Sequence, residues 1–303
     1  MNRVRIGSRG SALALAQSTW VKQQIETRYP DLQVELKIIK TSGDRFVDRP
    51  IAAVGGKGVF TKEIEDALLK QTIDLAVHSM KDLPTDLPDG LAIAAVPARE
   101  DARDALVTKH GLKLADLARG ARVATGSLRR QAQLLHHRGD LVVKPIRGNV
   151  DTRLRKLDDG EADGLIMAAA GLKRIDRAER ISEYLSDEIC LSAVAQGALA
   201  MEARADGAMR ELLSFLHDAA SAAETLAERA LLRSLSGGCH VPIGARARAM
   251  GSILEMVAIV ARPDGAALCK AKLAGHCNEA ETLGERLAEA LRRQGADKIL
   301  AAS

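Results

Sequence analysis

Along the first part of the chain, short apolar runs alternate with longer stretches of helical period. Val4–Gly7 predicts a short strand, the loop Ser8–Ser11 follows, and Ala12–Gln24 predicts an Ala/Leu-rich helix. Val34–Lys40 predicts a second strand, Phe60–Lys70 a helix, Asp74–Val77 a buried strand and Leu91–Val96 another. Between them, Thr41–Gly58 is long, irregular and glycine-bearing, which reads as a lid or a disordered flap. The pattern then repeats weakly. Arg122–Ser127 and the helix from Leu128 copy the first strand, loop and helix. Arg147–Val150, a helix and Asp163–Met167 echo Lys57–Phe60, a helix and Asp74–Val77. Two βα lobes facing each other across a cleft account for this, against the plainer reading that short βα units resemble one another.

Ser192–Arg204 reads as a helix-prone return segment and Glu211–Ser221 as a link. Ser221 with Glu224 forms a capping-box pattern ahead of Leu226, Ala230, Leu231 and Leu235. Gly237 and Gly238 end that helix, and Pro242 prevents its resumption. Beyond it, Ala245–Met250, Leu254–Val260 and Ala267–Leu273 predict strands, with a turn at Arg262–Gly265. Asn278 with Glu281 opens a helix carrying Leu283, Leu287 and Leu291. The class is therefore α/β, ending in a small α/β domain.

Composition narrows the picture. With 47% hydrophobic and 28% charged residues among 303, this is an ordinary globular chain. Aromatics make up 2%, which argues against a platform that stacks nucleic-acid bases, and no nucleic-acid partner is expected. No apolar run approaches a membrane span, and Met1–Ile6 leads into a strand rather than a signal peptide. Cys190, Cys239, Cys269 and Cys277 lack framework spacing, which predicts free thiols in a reducing, cytoplasmic setting. Cys269, His276 and Cys277 match no common zinc spacing, so no metal is expected.

The formal charge of +4 matters less than its distribution. Arg119, Arg122, Arg129, Arg130, Arg138, Lys144, Arg147, Arg153 and Arg155 crowd one stretch, where only Asp140 and Asp151 oppose them. Arginine suits bidentate recognition of carboxylate or phosphate, and Arg129 and Arg130 open a helix just after Thr125–Ser127. A solvated basic face is the competing explanation. Asp82 follows Lys81 at the carboxyl end of a predicted parallel strand, where open α/β sheets place ligands. A carboxylate among cations stabilises a developing positive charge or moves protons, but Asp82 equally suits a turn before Pro84. Cys239 sits on a tight Gly-Gly loop, a good place for a thiol that must be reached, against the plainer reading of an incidental cysteine in a C-cap loop.

Six motifs in order carry a resemblance: Ile6–Ser11, Gly55–Phe60, Val77–Pro84, Thr125–Arg130, Arg147–Arg153 and Gly237–Gly244. Over essentially its full length the chain resembles the porphobilinogen deaminase (hydroxymethylbilane synthase) family. The resemblance implies two periplasmic-binding-protein-like lobes around a cleft, residues 1–97 with 198–217 and residues 98–197. A cofactor-attachment domain over 218–303 completes it. It further implies a dipyrromethane cofactor held by Cys239 through a thioether. Four porphobilinogen molecules would be deaminated and joined head to tail on that primer, and the linear tetrapyrrole hydroxymethylbilane released. Asp82, Lys81 and Arg9 would be catalytic. Ser11, Lys81, Asp82, Thr125, Ser127, Arg129, Arg130, Arg147, Gly148 and Arg153 would hold the cofactor. Arg9, Arg147, Asn149, Arg153, Arg174, Gln196 and Phe60 would bind substrate. The Thr41–Gly58 lid and a default monomer complete these expectations. The chain departs from many relatives at Ala53, where they carry lysine. The alternative is a non-catalytic two-lobe anion-binding protein, which has no use for Cys239 or Asp82.

Overall fold

The structure is a computed structural model that describes residues 2–45, 58–235 and 241–301. The chain divides into two compact units, Met1–Arg99 with Ala198–Ala219, and Glu100–Gly197 with Ala220–Ser303.

The first unit is built on a five-stranded sheet ordered β2-β1-β3-β10-β4. Its strands are β1 Arg3–Ser8, β2 Gln33–Ile38, β3 Leu75–Ser79, β4 Leu91–Ala95 and β10 Leu199–Arg204. β1 runs parallel to β2 and β3, with Ile6 opposite Leu75 and Gly7 opposite Ala76. β10 is antiparallel to both β3 and β4. Val4, Ile6, Leu75, Val77 and Met201 meet Val21 and Ile25 of the helix Ala12–Arg28 on one face. Ile64 and Leu68 of the helix Lys62–Leu69 pack with Ile73 and Ala76 in a second cluster. Burial of both faces explains why β3 reads as a continuous apolar run, with Leu75 and Val77 in the first cluster and Ala76 in the second.

The second unit repeats this topology. Its sheet is ordered β7-β6-β8-β5-β9, from β5 Asp104–Thr108, β6 Arg122–Ala124, β7 Val142–Lys144, β8 Gly164–Ala168 and β9 Glu183–Tyr184. β6 runs parallel to β7 and β8, and β5 is antiparallel to β8 and β9. The repeat seen in the sequence thus corresponds to a shared strand order.

The second unit also contains an antiparallel sheet, β11 Ile243–Met250, β12 Ile253–Ala261 and β13 Leu268–His276. The helices Ala219–Ser234 and Ala280–Arg293 approach so closely that a Cβ on Gly284 would lie 2.1 Å from the Ala227 carbonyl oxygen. The β12–β13 turn docks on the helix Leu128–His137: the Gln131 amide donates to the Pro263 carbonyl at 3.2 Å, and His136 Nδ1 lies 2.9 Å from the Gly265 carbonyl.

Two elements differ from the sequence reading. The helix-prone segment Ser192–Arg204 ends in strand β10, because Leu199–Ala203 is wholly buried between β3 and β4 and sheet burial overrides helix propensity. The helix read as capped by Ser221 begins at Ala219, so Ser221 lies inside its first turns. Glu224 instead accepts from the Ala249 amide at 3.0 Å, tying helix to sheet.

Candidate functional site

In the first unit the expected residues gather past the carboxyl ends of β1 and β3. After β1, the Arg9 guanidinium stacks 4.2 Å from the centroid of Phe60. Ser11 caps the helix Ala12–Arg28, accepting from the Ala14 amide at 3.4 Å. After β3, a 3₁₀ turn carries Met80, Lys81 and Asp82, and the Met80 amide donates to the Ala198 carbonyl at 3.0 Å. The Gln17 side chain donates to Ser79 Oγ at 2.8 Å, fixing this end of β3 to the helix. Asp82 is exposed and Lys81 half-buried, the placement a group needs to reach a ligand. Just beneath, His78 is buried and pairs with Glu202 on β10, Nε2 to Oε2 2.9 Å.

In the second unit the same topological ends carry Thr125 and Ser127 after β6, Arg147–Arg153 after β7, and Arg174 after β8. Ser127 accepts from the Arg130 amide, and its own amide donates to Thr125 Oγ1 at 3.2 Å. Asn149 caps the helix Val150–Asp158 through the Thr152 amide at 2.9 Å. Gly148 has φ +114°, and a Cβ there would lie 2.6 Å from Thr152 Cγ2, so only glycine suits the position. Arg153 donates from Nε to the Gly148 carbonyl at 2.8 Å, and Arg147 is exposed.

Arg174 is electrostatically distinct. It donates to the Gly197 carbonyl at 2.6 Å and makes no ion pair among the described residues. Burial lowers its pKa to about 10, opposed by nearby Glu100. A largely desolvated guanidinium of this kind gains most from an incoming anion.

Arg129 and Arg130 sit differently from the sequence picture of two cations opening onto a ligand. Both are buried against Asp104 at the start of β5, at 2.7 Å each. Gln196 is also buried and donates to Asp104 Oδ1 at 2.9 Å and to the Ala102 carbonyl at 2.7 Å. Desolvation opposes the ionised form of Asp104, but the two guanidiniums overcome it and hold the carboxyl below the usual carboxylate range. Cys190 donates to Asp104 Oδ2 at 3.2 Å, and burial raises its thiol to about 12. The arginine run is therefore opposed by more than Asp140 and Asp151: Asp104 takes Arg129 and Arg130, Asp163 takes Arg122 at 2.9 Å, and Asp140 takes Arg138 at 2.7 Å. Asp104 was missed because its partners lie 25, 26, 86 and 92 positions away.

Cys239 and His240 lie outside the described residues, as do Ala53 and most of the expected lid. Among the described residues no cluster of His, Cys, Asp or Glu is built to hold a metal, and no helix is long and apolar enough to cross a membrane.

Residues 4–211 match the family model described as porphobilinogen deaminase, dipyromethane cofactor binding domain, and residues 222–293 match porphobilinogen deaminase, C-terminal domain. The chain is 54% identical to a porphobilinogen deaminase of Syntrophotalea carbinolica, covering 99% of this chain and 95% of that protein. It is 49% identical to a porphobilinogen deaminase of Geobacter metallireducens, over 99% and 94%. Among solved structures it is similar to the methionine binding protein MetQ, with a TM-score of 0.44 and 15% identity over 71% of this chain and 89% of that one, too distant to carry an argument.

Proposed function

The chain belongs to the porphobilinogen deaminase family, and we propose that the two sets of strand-end residues are its catalytic and binding machinery. It is a transferase that deaminates porphobilinogen, joins four of the resulting units head to tail, and releases the linear tetrapyrrole hydroxymethylbilane. The observation that carries this is the family match along both domains, with relatives near half identity over the whole chain. A non-catalytic anion-binding protein is not favoured.

The residues fit a dipyrromethane cofactor. Such a group carries acetate and propionate side chains, and the second unit offers Arg147, Arg153 and the desolvated Arg174, with Ser127, Thr125 and Gly148 backbone at the same strand ends. Cys239 would hold it through a thioether, and Ser11, Lys81, Asp82, Arg129 and Arg130 complete the set. When bound, it supplies the free pyrrole end that the chain is extended from. Asp82 accepts hydrogen bonds from pyrrole N–H groups, stabilises the positive charge that develops on substrate as its amino group leaves, and moves the proton. Lys81 and Arg9 bind carboxylates, and Phe60 holds the Arg9 guanidinium in place by stacking. Arg174, Asn149 and Gln196 serve the incoming substrate. The two lobes comprise residues 1–97 with 198–217 and residues 98–197, the cofactor-attachment domain residues 218–303, and the protein works as a monomer in a reducing cytoplasm, where Cys239 stays available.

The test is the denatured intact mass of the parent beside Cys239→Ala. The parent gains the mass of two linked pyrrole units, as purified or after incubation with porphobilinogen, and the variant does not. A parent that never gains that mass and never consumes porphobilinogen overturns the reading.

A further inference from the structure

Asp104 is fully buried, so it cannot itself touch a ligand. Five donors converge on it. Oδ1 accepts from Arg130 Nε at 3.1 Å, Arg130 Nη2 at 2.7 Å and Gln196 Nε2 at 2.9 Å; Oδ2 accepts from Arg129 Nη1 at 2.7 Å and Cys190 Sγ at 3.2 Å. A carboxylate offers roughly four lone-pair sites, so its capacity is filled. The side chains gathered on it come from three places: the helix Leu128–His137, the segment bearing Gln196, and Cys190. Further bonds remove their remaining freedom. Arg130 Nη1 donates to the Ile166 carbonyl at 3.0 Å, and Arg129 Nη1 to the Leu191 carbonyl at 2.5 Å. Of the guanidinium nitrogens of Arg129, only Nη1 is engaged among the described residues.

We infer that Asp104 is a positioning residue for the anion-binding machinery: it fixes Arg129, Arg130 and Gln196 from beneath, and one carboxylate against two guanidiniums leaves the group a single positive charge in excess. This rests on the reading above that these three side chains serve the ligand. Two buried guanidiniums without a carboxylate would repel each other and lie desolvated, an arrangement that is costly without a partner. With one carboxylate they hold a fixed geometry and keep enough charge to attract an acidic pyrrole chain. Two carboxylates would cancel the attraction. Cys190 takes part as a donor to Asp104, because its thiol keeps its proton well above neutral pH. The alternatives give different signatures. A merely structural Asp104 affects stability alone, and an Asp104 that competes with ligand for the arginines weakens binding in the parent.

The test uses the full chain loaded with its cofactor, with Asp104→Glu as the main variant. Glu keeps the charge but displaces the carboxylate by one methylene, an overpacking the fold is expected to survive. Turnover of porphobilinogen is measured per folded, cofactor-loaded molecule, counted by circular dichroism and intact mass. KM is expected to rise at least tenfold in Asp104→Glu, since the displaced carboxylate shifts both guanidiniums and losing one charge-assisted hydrogen bond to an anionic ligand weakens binding by about tenfold or more. A folded, loaded Asp104→Glu with KM unchanged or lowered overturns the inference while leaving the enzyme reading intact. A parent that does not turn over porphobilinogen overturns both. Should Asp104→Glu fail to fold, Cys190→Ala and Cys190→Ser replace it. Both leave every ligand-binding side chain in place. KM rising in the alanine variant and returning in the serine variant, which restores a donor to Asp104, supports the inference; equal KM in both overturns it.

Discussion

The pair His78–Glu202 gives a stability prediction whose size follows from its surroundings. The two side chains are 5% and 0% exposed, with Nε2 and Oε2 2.9 Å apart, and they join β3 to β10 where Ala200 faces His78 and Met201 faces Val77. Replacing Glu202 by leucine leaves the imidazole buried with no acceptor. If the pair is neutral, the loss is that of an unsatisfied buried donor, about 1–3 kcal/mol. If the pair is ionised, the loss is about 3–5 kcal/mol, because a buried charge is stranded. For a unit of this size each kcal/mol lowers the melting midpoint by about 4 °C, so the two cases predict drops of about 4–12 °C and about 12–20 °C. The assay is built into the protein. Its single tryptophan, Trp20, lies on the first unit's helix Ala12–Arg28, so its fluorescence reports that unit's transition rather than an average over both. Glu202→Gln keeps an acceptor and is expected at the mild end. The double variant His78→Leu/Glu202→Leu removes both polar partners and recovers most of the loss, since no polar group is left unpaired. A Glu202→Leu midpoint within about 2 °C of the parent would refute the reasoning.

Two further predictions concern neighbouring features. Gly197 has φ +89°, and a Cβ there would lie 2.3 Å from the Glu100 carbonyl oxygen and 3.2 Å from Ala102 Cα, so Gly197→Ala costs about 2–5 kcal/mol from left-handed strain plus backbone crowding. Its urea midpoint falls, and porphobilinogen affinity falls with it because Arg174 donates to the Gly197 carbonyl; an unchanged midpoint sinks the argument. Glu65 is buried beside Glu202, and burial raises its carboxyl above the usual glutamate range, opposed by Thr61 and His78. The folded state therefore binds that proton more tightly than the unfolded chain, and the associated stability is present below the ordinary glutamate pKa and lost as pH rises through the raised value. Glu65→Gln removes this decline, so urea midpoints across that window should diverge in the variant's favour as pH rises; parallel pH profiles would contradict it.

Much of the fold was legible because its strands are short apolar runs bounded by turn residues. Val4–Gly7 and Asp163–Met167 sit within a residue or so of β1 and β8, and the turn Arg262–Gly265 joins β12 to β13. The errors share a cause. Leu199–Arg204 is a strand buried on both faces, so it lacks the alternation that marks a half-buried strand. Leu199–Arg204 is also composed of strong helix formers, and only its place between two other strands decides its conformation. It returns to a sheet whose flanking strands β3 and β4 lie far earlier in the sequence, information that no local window contains. Similarly, Ser221 and Glu224 satisfy a capping pattern, yet Glu224 is drawn away by the Ala249 amide of β11.

The site shows what a count of cations leaves out. The run from Arg119 to Arg155 suggested an anion cleft because few acids lie within it. In the fold, Asp163 neutralises Arg122 and Asp104 takes both Arg129 and Arg130, so these three cations are each held against a carboxylate rather than standing free. Arg174, well outside the run, is half-buried without an ion pair among the described residues and its pKa is lowered to about 10, the condition in which a carboxylate ligand contributes most. Local sequence supplied the strand-end positions, since glycine at Gly148 and helix caps at Ser127 and Asn149 are short-range requirements. The electrostatic meaning of each arginine depends on which carboxylate the topology places against it, over separations of 25 to 41 residues for Asp104 and Asp163. An arginine-rich stretch therefore identifies a ligand site only after its internal carboxylates are assigned, and here that assignment turns Asp104 from an unremarked strand residue into the group on which the cationic geometry depends.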